Sequence, residues 1–178
     1  MILFDEPVYN FLFNLYSEKM TFIMRLLTSL GSTLVIISGI ISILFLFDFK
    51  HFKQMTVISL IGIISNHIIK EIVKRPRPSV FKLTSESSYS FPSSHTMMST
   101  IFYGLLIYFI WEKLKNRKLK ILLTIIFSII ILGTGISRIY LGAHYATDVL
   151  AGLILGLLYD FFFIKLYINK KNKETKRT

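Results

Sequence analysis

Residues 119–148 read L-K-I-L-L-T-I-I-F-S-I-I-I-L-G-T-G-I-S-R-I-Y-L-G-A-H-Y-A-T-D. The run 119–136 is nearly unbroken apolar sequence and comes close to the ~20 residues with which an α-helix crosses a bilayer core. It closes on Ser137 and Arg138, and the next apolar run opens past His144 and Asp148. Ionisable groups beside a membrane core are costly to keep, so they mark a functional site by default. A histidine followed four residues later by an aspartate places both side chains on one face of a helix. In that geometry a carboxylate can orient and charge an imidazole.

Four more apolar runs occupy 20–47, 55–73, 95–111 and 145–167. The expected fold is therefore all-α and integral to the membrane, a bundle of five transmembrane helices. Val8, Phe11, Leu12 and Leu15 fall at i, i+3, i+4 and i+7. That spacing predicts a short N-terminal amphipathic helix, either lying at the interface or packed on the bundle exterior. The expected organisation is an interfacial segment 1–20, a membrane-embedded domain 21–168 and a basic, frayed tail 169–178. No internal repeat is visible, and no cleavable signal peptide is expected, since Asp5 and Glu6 stand where a basic region would be.

Composition agrees with a membrane protein: 53% of the 178 residues are hydrophobic. The net charge of +11 does not point to nucleic acid, because no basic face separates from the apolar runs. The absence of cysteine excludes disulfides and thiolate chemistry. The charge sets orientation instead. Segment 112–120 carries Lys113, Lys115, Arg117, Lys118 and Lys120, and segments 48–53 and 165–178 are also basic. In a five-span chain these three segments share one side, which the positive-inside rule makes cytoplasmic. The N-terminus and segments 74–92 and 137–144 then face outward.

Two further polar islands fall on that outer side. In Lys70-Glu-Ile-Val-Lys-Arg-Pro-Arg77-Pro78 the prolines stop the helix, so Arg77 sits in extended chain. Its guanidinium fork matches phosphate oxygens, and Lys70 supplies a point charge. In Phe91-Pro92-Ser93-Ser94-His95, proline then serine starts a helix whose free N–H groups attract an anion. Together, Lys70, Arg77, Ser93, Ser94, His95, Arg138, His144 and Asp148 can converge at one membrane face. His67, beside Asn66, is expected to make a hydrogen bond between helices. Gly152 and Gly156 match a small-xxx-small pattern for close packing within the bundle.

The three islands resemble the type 2 phosphatidic acid phosphatase family. Its signature runs K-x6-R-P, P-S-G-H and S-R-x5-H-x3-D. Here the parts are Lys70 to Arg77-Pro78, Pro92-Ser93-Ser94-His95, and Ser137-Arg138 to His144 and Asp148. The flanking S-S-Y-S-F-P-S-S-H and I-S-R-I-Y-L-G-A-H look like its small bacterial phosphatidylglycerophosphate phosphatase B branch. Three departures stand out. Ser94 replaces glycine; residues 1–20 stand where family members commonly have a first of six spans; and R-P occurs twice, the lysine spacing selecting Arg77 and leaving Arg75 a bystander.

The resemblance implies a lipid phosphatase of the bacterial cell membrane acting on phosphatidylglycerophosphate or phosphatidic acid. It makes His144 the nucleophile, Asp148 its orienting carboxylate and His95 the general acid. Lys70, Arg77, Ser93, Ser94 and Arg138 are left to hold the phosphoryl oxygens. No metal or other cofactor is expected, since three cations fill that role, and no obligate protein partner is evident. An undecaprenyl pyrophosphate phosphatase would carry the same motifs. A transporter for anionic solutes fits less well, because no run carries a string of polar residues.

Overall fold

In the computed structural model the backbone is described for residues 4–79 and 82–175, and side chains as far as residue 168. Among the described residues there are seven helices and no strand. They are α1 (Asp5–Asn14), α2 (Glu18–Leu30), α3 (Thr33–Leu46), α4 (Phe49–Val73), α5 (Ser94–Lys113), α6 (Arg117–Tyr140) and α7 (Ala146–Thr175). Ser17, Ser32, Asp48, Ser93 and Asn116 cap α2 to α6, each accepting a backbone N–H of the first turn. These are residue types that favour N-caps.

Three helices are long and apolar enough to cross a membrane: Phe49–Val73, Arg117–Tyr140 and the part of α7 at Ala146–Ile168. A fourth crossing results if α2 and α3 count as one broken span. The single span expected over 20–47 is bent by 45°. The break falls at Gly31-Ser32, where the Ser32 hydroxyl caps the new helix. Gly31 presses against α5 and α6, and a Cβ on it would meet Ser99 Oγ and Thr134 Cγ2 at 2.5 Å.

The expected span at 95–111 becomes α5, which falls short of the apolarity of a lone span. Its position explains this, because α3, α4, α6 and α7 all pack on it. Met97, Ile101, Leu105 and Phe109 repeat every four residues and are fully buried. Thr96, Ser99 and Thr100 are buried on the same helix. A helix shielded by protein does not have to be apolar all round. Gly152 and Gly156 let α7 approach it closely: a Cβ there would lie 2.7 Å from Ser93 O and 2.5 Å from Thr100 Cβ.

Two expectations change. His67 is exposed on α4, whereas Asn66 is buried and makes the interhelical contacts, with Nδ2 3.4 Å from Met97 Sδ. The tail from Asn169 does not fray at once: α7 continues to Thr175, and residues 176–178 lie outside the described chain. The N-terminal α1 packs against α6 and α7.

Candidate active site

Four helix ends meet at one pole of the bundle. They are the last turn of α4, the first of α5, the last of α6 and the first of α7. The left-handed φ of 47° at Lys74 stops α4, and the two prolines extend the chain beyond it. The segment between α4 and α5 then folds back over the pole. Ser90 N bonds Arg75 O (2.9 Å), Leu83 N bonds Leu141 O (3.0 Å) and Ser93 N bonds Asp148 O (3.0 Å).

His144 sits in the turn between α6 and α7 and is 1% exposed. Its Nε2 lies 3.3 Å from Arg77 Nη1. Arginine only donates, so Nε2 presents its lone pair and Nδ1 carries the proton. Nδ1 faces Asp148 Oδ2 at 3.6 Å, an ion-pair distance longer than a hydrogen bond. The direct His144–Asp148 hydrogen bond implied by the motif is therefore not made here. Asp148 is engaged elsewhere: Oδ2 accepts from Ser90 Oγ and from Tyr145 N (2.9 Å), and Oδ1 from Arg75 Nη1 (2.5 Å). Burial pushes the His144 imidazole down to about 4; Asp148 opposes the fall, and Arg77, Arg138 and Lys70 add to it. A neutral imidazole results at physiological pH.

Three cations surround it. Lys70 Nζ donates to Tyr89 O at 2.5 Å. Arg77 donates from Nε to Ser88 O (2.6 Å) and from Nη1 to Ala143 O (2.8 Å). Burial lowers its pKa, though a guanidinium stays charged. Arg138 is 3% exposed. Its Nη1 donates to Thr28 Oγ1 of α2 at 3.1 Å, and its Nη2 pairs with Glu86. Burial raises the Glu86 carboxyl, but the hydrogen bond and charge of Arg138 outweigh it and hold the group below its usual range. Glu86 thus sets an anionic oxygen against the edge of Arg138. A cavity of about 380 Å³ opens beside it, lined in part by Arg77, Lys82, Ser85 and Glu86.

His95 is half-buried in the first turn of α5, within electrostatic reach of Arg138, Glu86, His144 and Arg77. The hydroxyls of Ser93 and Ser94 do not join this group. Ser93 Oγ caps α5 and pairs with Thr96 Oγ1 at 2.9 Å. Ser94 Oγ donates to Asn66 Oδ1 at 2.6 Å. The glycine-to-serine departure is thus accommodated by a polar neighbour on α4. Arg75, set aside from the motif spacing, is no bystander, since it grips Asp148. Asp5, Thr28, Glu86 and Ser90 were not found from sequence either. The second R-P was the one available signal for Arg75; nothing local marks the others.

The arrangement can cradle a tetrahedral anion between three cations beside a neutral imidazole. The sequence profile of the PAP2 superfamily matches residues 52–172, which hold every one of the three islands. The chain belongs to the PAP2 superfamily. It is 43% identical over 106 residues to phosphatidylglycerophosphatase B of Bacillus subtilis strain 168, covering 59% of this chain and 52% of that protein. It is 31% identical over 121 residues to undecaprenyl-diphosphatase BcrC of the same strain, covering 65% and 58%. The chain thus spans a little over half the length of these curated relatives.

The fold resembles the crystal structure of a transmembrane PAP2-type phosphatidylglycerolphosphate phosphatase from Bacillus subtilis. The TM-score is 0.84 at 30% identity, covering 93% of this chain and 85% of that one. LpxE of Aquifex aeolicus shares the fold at a TM-score of 0.77 and 21% identity, covering 93% and 99%.

Proposed function

We propose that this PAP2 protein is a membrane lipid phosphatase that hydrolyses a phosphate monoester through a phosphohistidine. The observation that carries the reading is the position of His144 Nε2, 3.3 Å from Arg77 Nη1, with Lys70 and Arg138 also acting on the ring. A nucleophile held neutral among cations is what attack on a phosphoryl group requires.

In the first step Nε2 of His144 attacks phosphorus and the ester P–O bond breaks. His95 protonates the departing alkoxide, which leaves as an alcohol on the lipid. Asp148 stabilises the positive charge on the ring. In the second step His95 takes a proton from water, water attacks the phosphohistidine, and orthophosphate leaves with His144 restored. Lys70, Arg77 and Arg138 hold the equatorial oxygens throughout, helped by backbone N–H groups at the start of α5. Ser93 and Ser94 contribute through that backbone. The proposed site needs no metal.

The proposed topology has five crossings: α2 with α3, then α4, α5, α6 and α7. Residues 1–20 lie at the interface and 169–178 end on the cytoplasmic side of a bacterial cell membrane. The basic turn between α5 and α6 is cytoplasmic and the site faces outward. There a lipid offers its headgroup while its tails stay in the bilayer.

The names of the relatives support a glycerophospholipid phosphate, phosphatidylglycerophosphate above phosphatidic acid. A polyprenyl pyrophosphate is the second reading, favoured by the cavity beside Arg77, where Lys82 could meet a further phosphate. The test is phosphate release by detergent-purified protein from phosphatidylglycerophosphate, phosphatidic acid, undecaprenyl pyrophosphate and an aryl phosphate. Preference for a monoester lipid supports the first reading, and preference for the pyrophosphate the second. Activity on none of them would return the anion-transport alternative.

A further inference from the structure

The carboxylate assigned to His144 makes its shortest charged contact elsewhere. Asp148 Oδ1 accepts from Arg75 Nη1 at 2.5 Å, while Oδ2 stands 3.6 Å from His144 Nδ1. Arg75 has a second arm. Its Nη2 donates to Asp5 Oδ2 at 2.6 Å. Asp5 opens α1 and is 1% exposed. Its Oδ1 accepts from the backbone N–H and the hydroxyl of Thr147, both at 2.9 Å. Arg75 also lies over the Tyr145 ring, 4.2 Å from its centroid. So Thr147, one residue before Asp148, and Tyr145, one residue after His144, are both clamped by this pair.

The charges alternate along the chain Asp5, Arg75, Asp148, His144. An arginine alone on Asp148 would neutralise the carboxylate that the imidazolium needs. A second carboxylate on the far arm balances that arginine and leaves Asp148 free to act on the ring. Hydrogen bonds to both amino groups also fix the guanidinium plane. The hydrogen bond and charges of Asp5 and Asp148 raise the pKa of Arg75 despite its burial. Burying a carboxylate is costly unless it is paired and hydrogen-bonded, and at Asp5 each oxygen has a partner.

We propose that Asp5 and Arg75 are a positioning pair: Arg75 aims Asp148 at His144 Nδ1, and Asp5 holds and charge-balances Arg75, which makes α1 part of the catalytic apparatus. The inference rests on His144 being the nucleophile. The groups facing His144 are Asp148 from α7, Arg138 from α6, Lys70 from α4, His95 from α5 and Arg77 from the segment after α4. Asp5 and Arg75 stand behind Asp148.

The test is the pH profile of kcat/KM for phosphate release from dioctanoyl phosphatidic acid, in wild type, Asp5→Asn, Asp5→Glu, Arg75→Gln, Arg75→Lys and His144→Asn. Asp5→Asn removes a negative charge, so His144 holds a proton less tightly and the acid limb moves to lower pH. Arg75→Gln removes a positive charge and moves the limb to higher pH. Each shift is expected to be roughly half a unit or more. In both variants kcat falls about tenfold, with KM changed by less than about twofold. Asp5→Glu and Arg75→Lys return the limb toward wild type.

A role in folding alone predicts less folded protein, with the surviving enzyme on the wild-type profile, and that result overturns the proposal. If Asp5→Asn does not fold, the Arg75 variants decide, because an unmoved limb in Arg75→Gln overturns it equally. An inactive His144→Asn with unmoved Asp5 and Arg75 profiles sinks this inference alone. An active His144→Asn sinks the nucleophile assignment with it.

Discussion

Both poles of this bundle hold a histidine beside an aspartate, and they are built for different ends. At one pole His144 lies against Asp148, with its other nitrogen 3.3 Å from Arg77. At the opposite pole His51 Nδ1 is 2.6 Å from Asp48 Oδ1. His51 is also 1% exposed. Its second nitrogen, however, turns toward another carboxylate, Glu112, at 4.0 Å. The ring packs edge-on against Phe109, with centroids 4.6 Å apart. Asp48 is occupied in capping α4, accepting from His51 N at 2.9 Å. That bond holds its pKa down, against the opposing push of burial. A histidine–aspartate pair is thus no sign of catalysis by itself. Convergent cations and a lone pair aimed at them make the difference.

That contrast can be broken by exchanging small changes between the poles. His144→Asn should cost about 10⁴-fold or more in kcat, the scale of losing a nucleophile. His51→Asn should leave activity per folded molecule within about twofold. Comparable losses at both would erase the distinction. Next in size, Arg138→Ala should lower kcat/KM by about 10²- to 10³-fold. Lys113→Ala, which loses a contact of 3.9 Å to Asp48, should change it by less than about twofold.

The pH profile sharpens the pole that holds His144 further. In the proposed mechanism the His144 imidazole must be neutral to attack, and burial among cations places its pKa near 4. After correction for ionisation of the substrate, kcat/KM should hold as pH falls through about 6.5, the ordinary histidine value. It should be lost only toward 4. An acid limb at the ordinary value would show an unperturbed histidine. The opposite pole answers in stability instead: His51→Ala should cost about 2 kcal/mol, read as a lowered Tm in detergent. The smallest effect concerns metal. Chelation should leave activity within about twofold, because three cations do the work of an ion, and a chelator-sensitive enzyme would refute this.

At the pole that holds His144, the residues that come together were legible in the sequence where chemistry leaves a spacing. Lys70, Arg77, Arg138, His144 and Asp148 were legible through the spacings of the three motifs and the two prolines, although His144 lies in the turn before α7, so the expected shared helix face with Asp148 is not what places it. Ser93 as a cap and Gly152 with Gly156 as a close-packing pair follow from equally local rules. Other features depend on contacts far apart in the chain. Asp5 meets Thr147 across 142 positions, and no periodicity links them. Arg75 was set aside because the lysine spacing selects one arginine and is silent about its neighbour. The break at Gly31 was hidden inside a continuous apolar run, since the reason for it lies in Ser99 and Thr134. The small apolar excess of α5 became intelligible only once four helices were seen to cover it.

The central claim is that His144 takes the phosphoryl group, and one measurement addresses it directly. Purified protein is mixed with phosphatidic acid labelled in its phosphate, quenched in alkali during turnover, and digested. A phosphorus–nitrogen bond to imidazole survives base and is lost in acid. The account predicts base-stable, acid-labile label on the peptide containing His144, and none in His144→Asn. Label on another residue, or turnover by wild type with no labelled enzyme at any quench time, would contradict it.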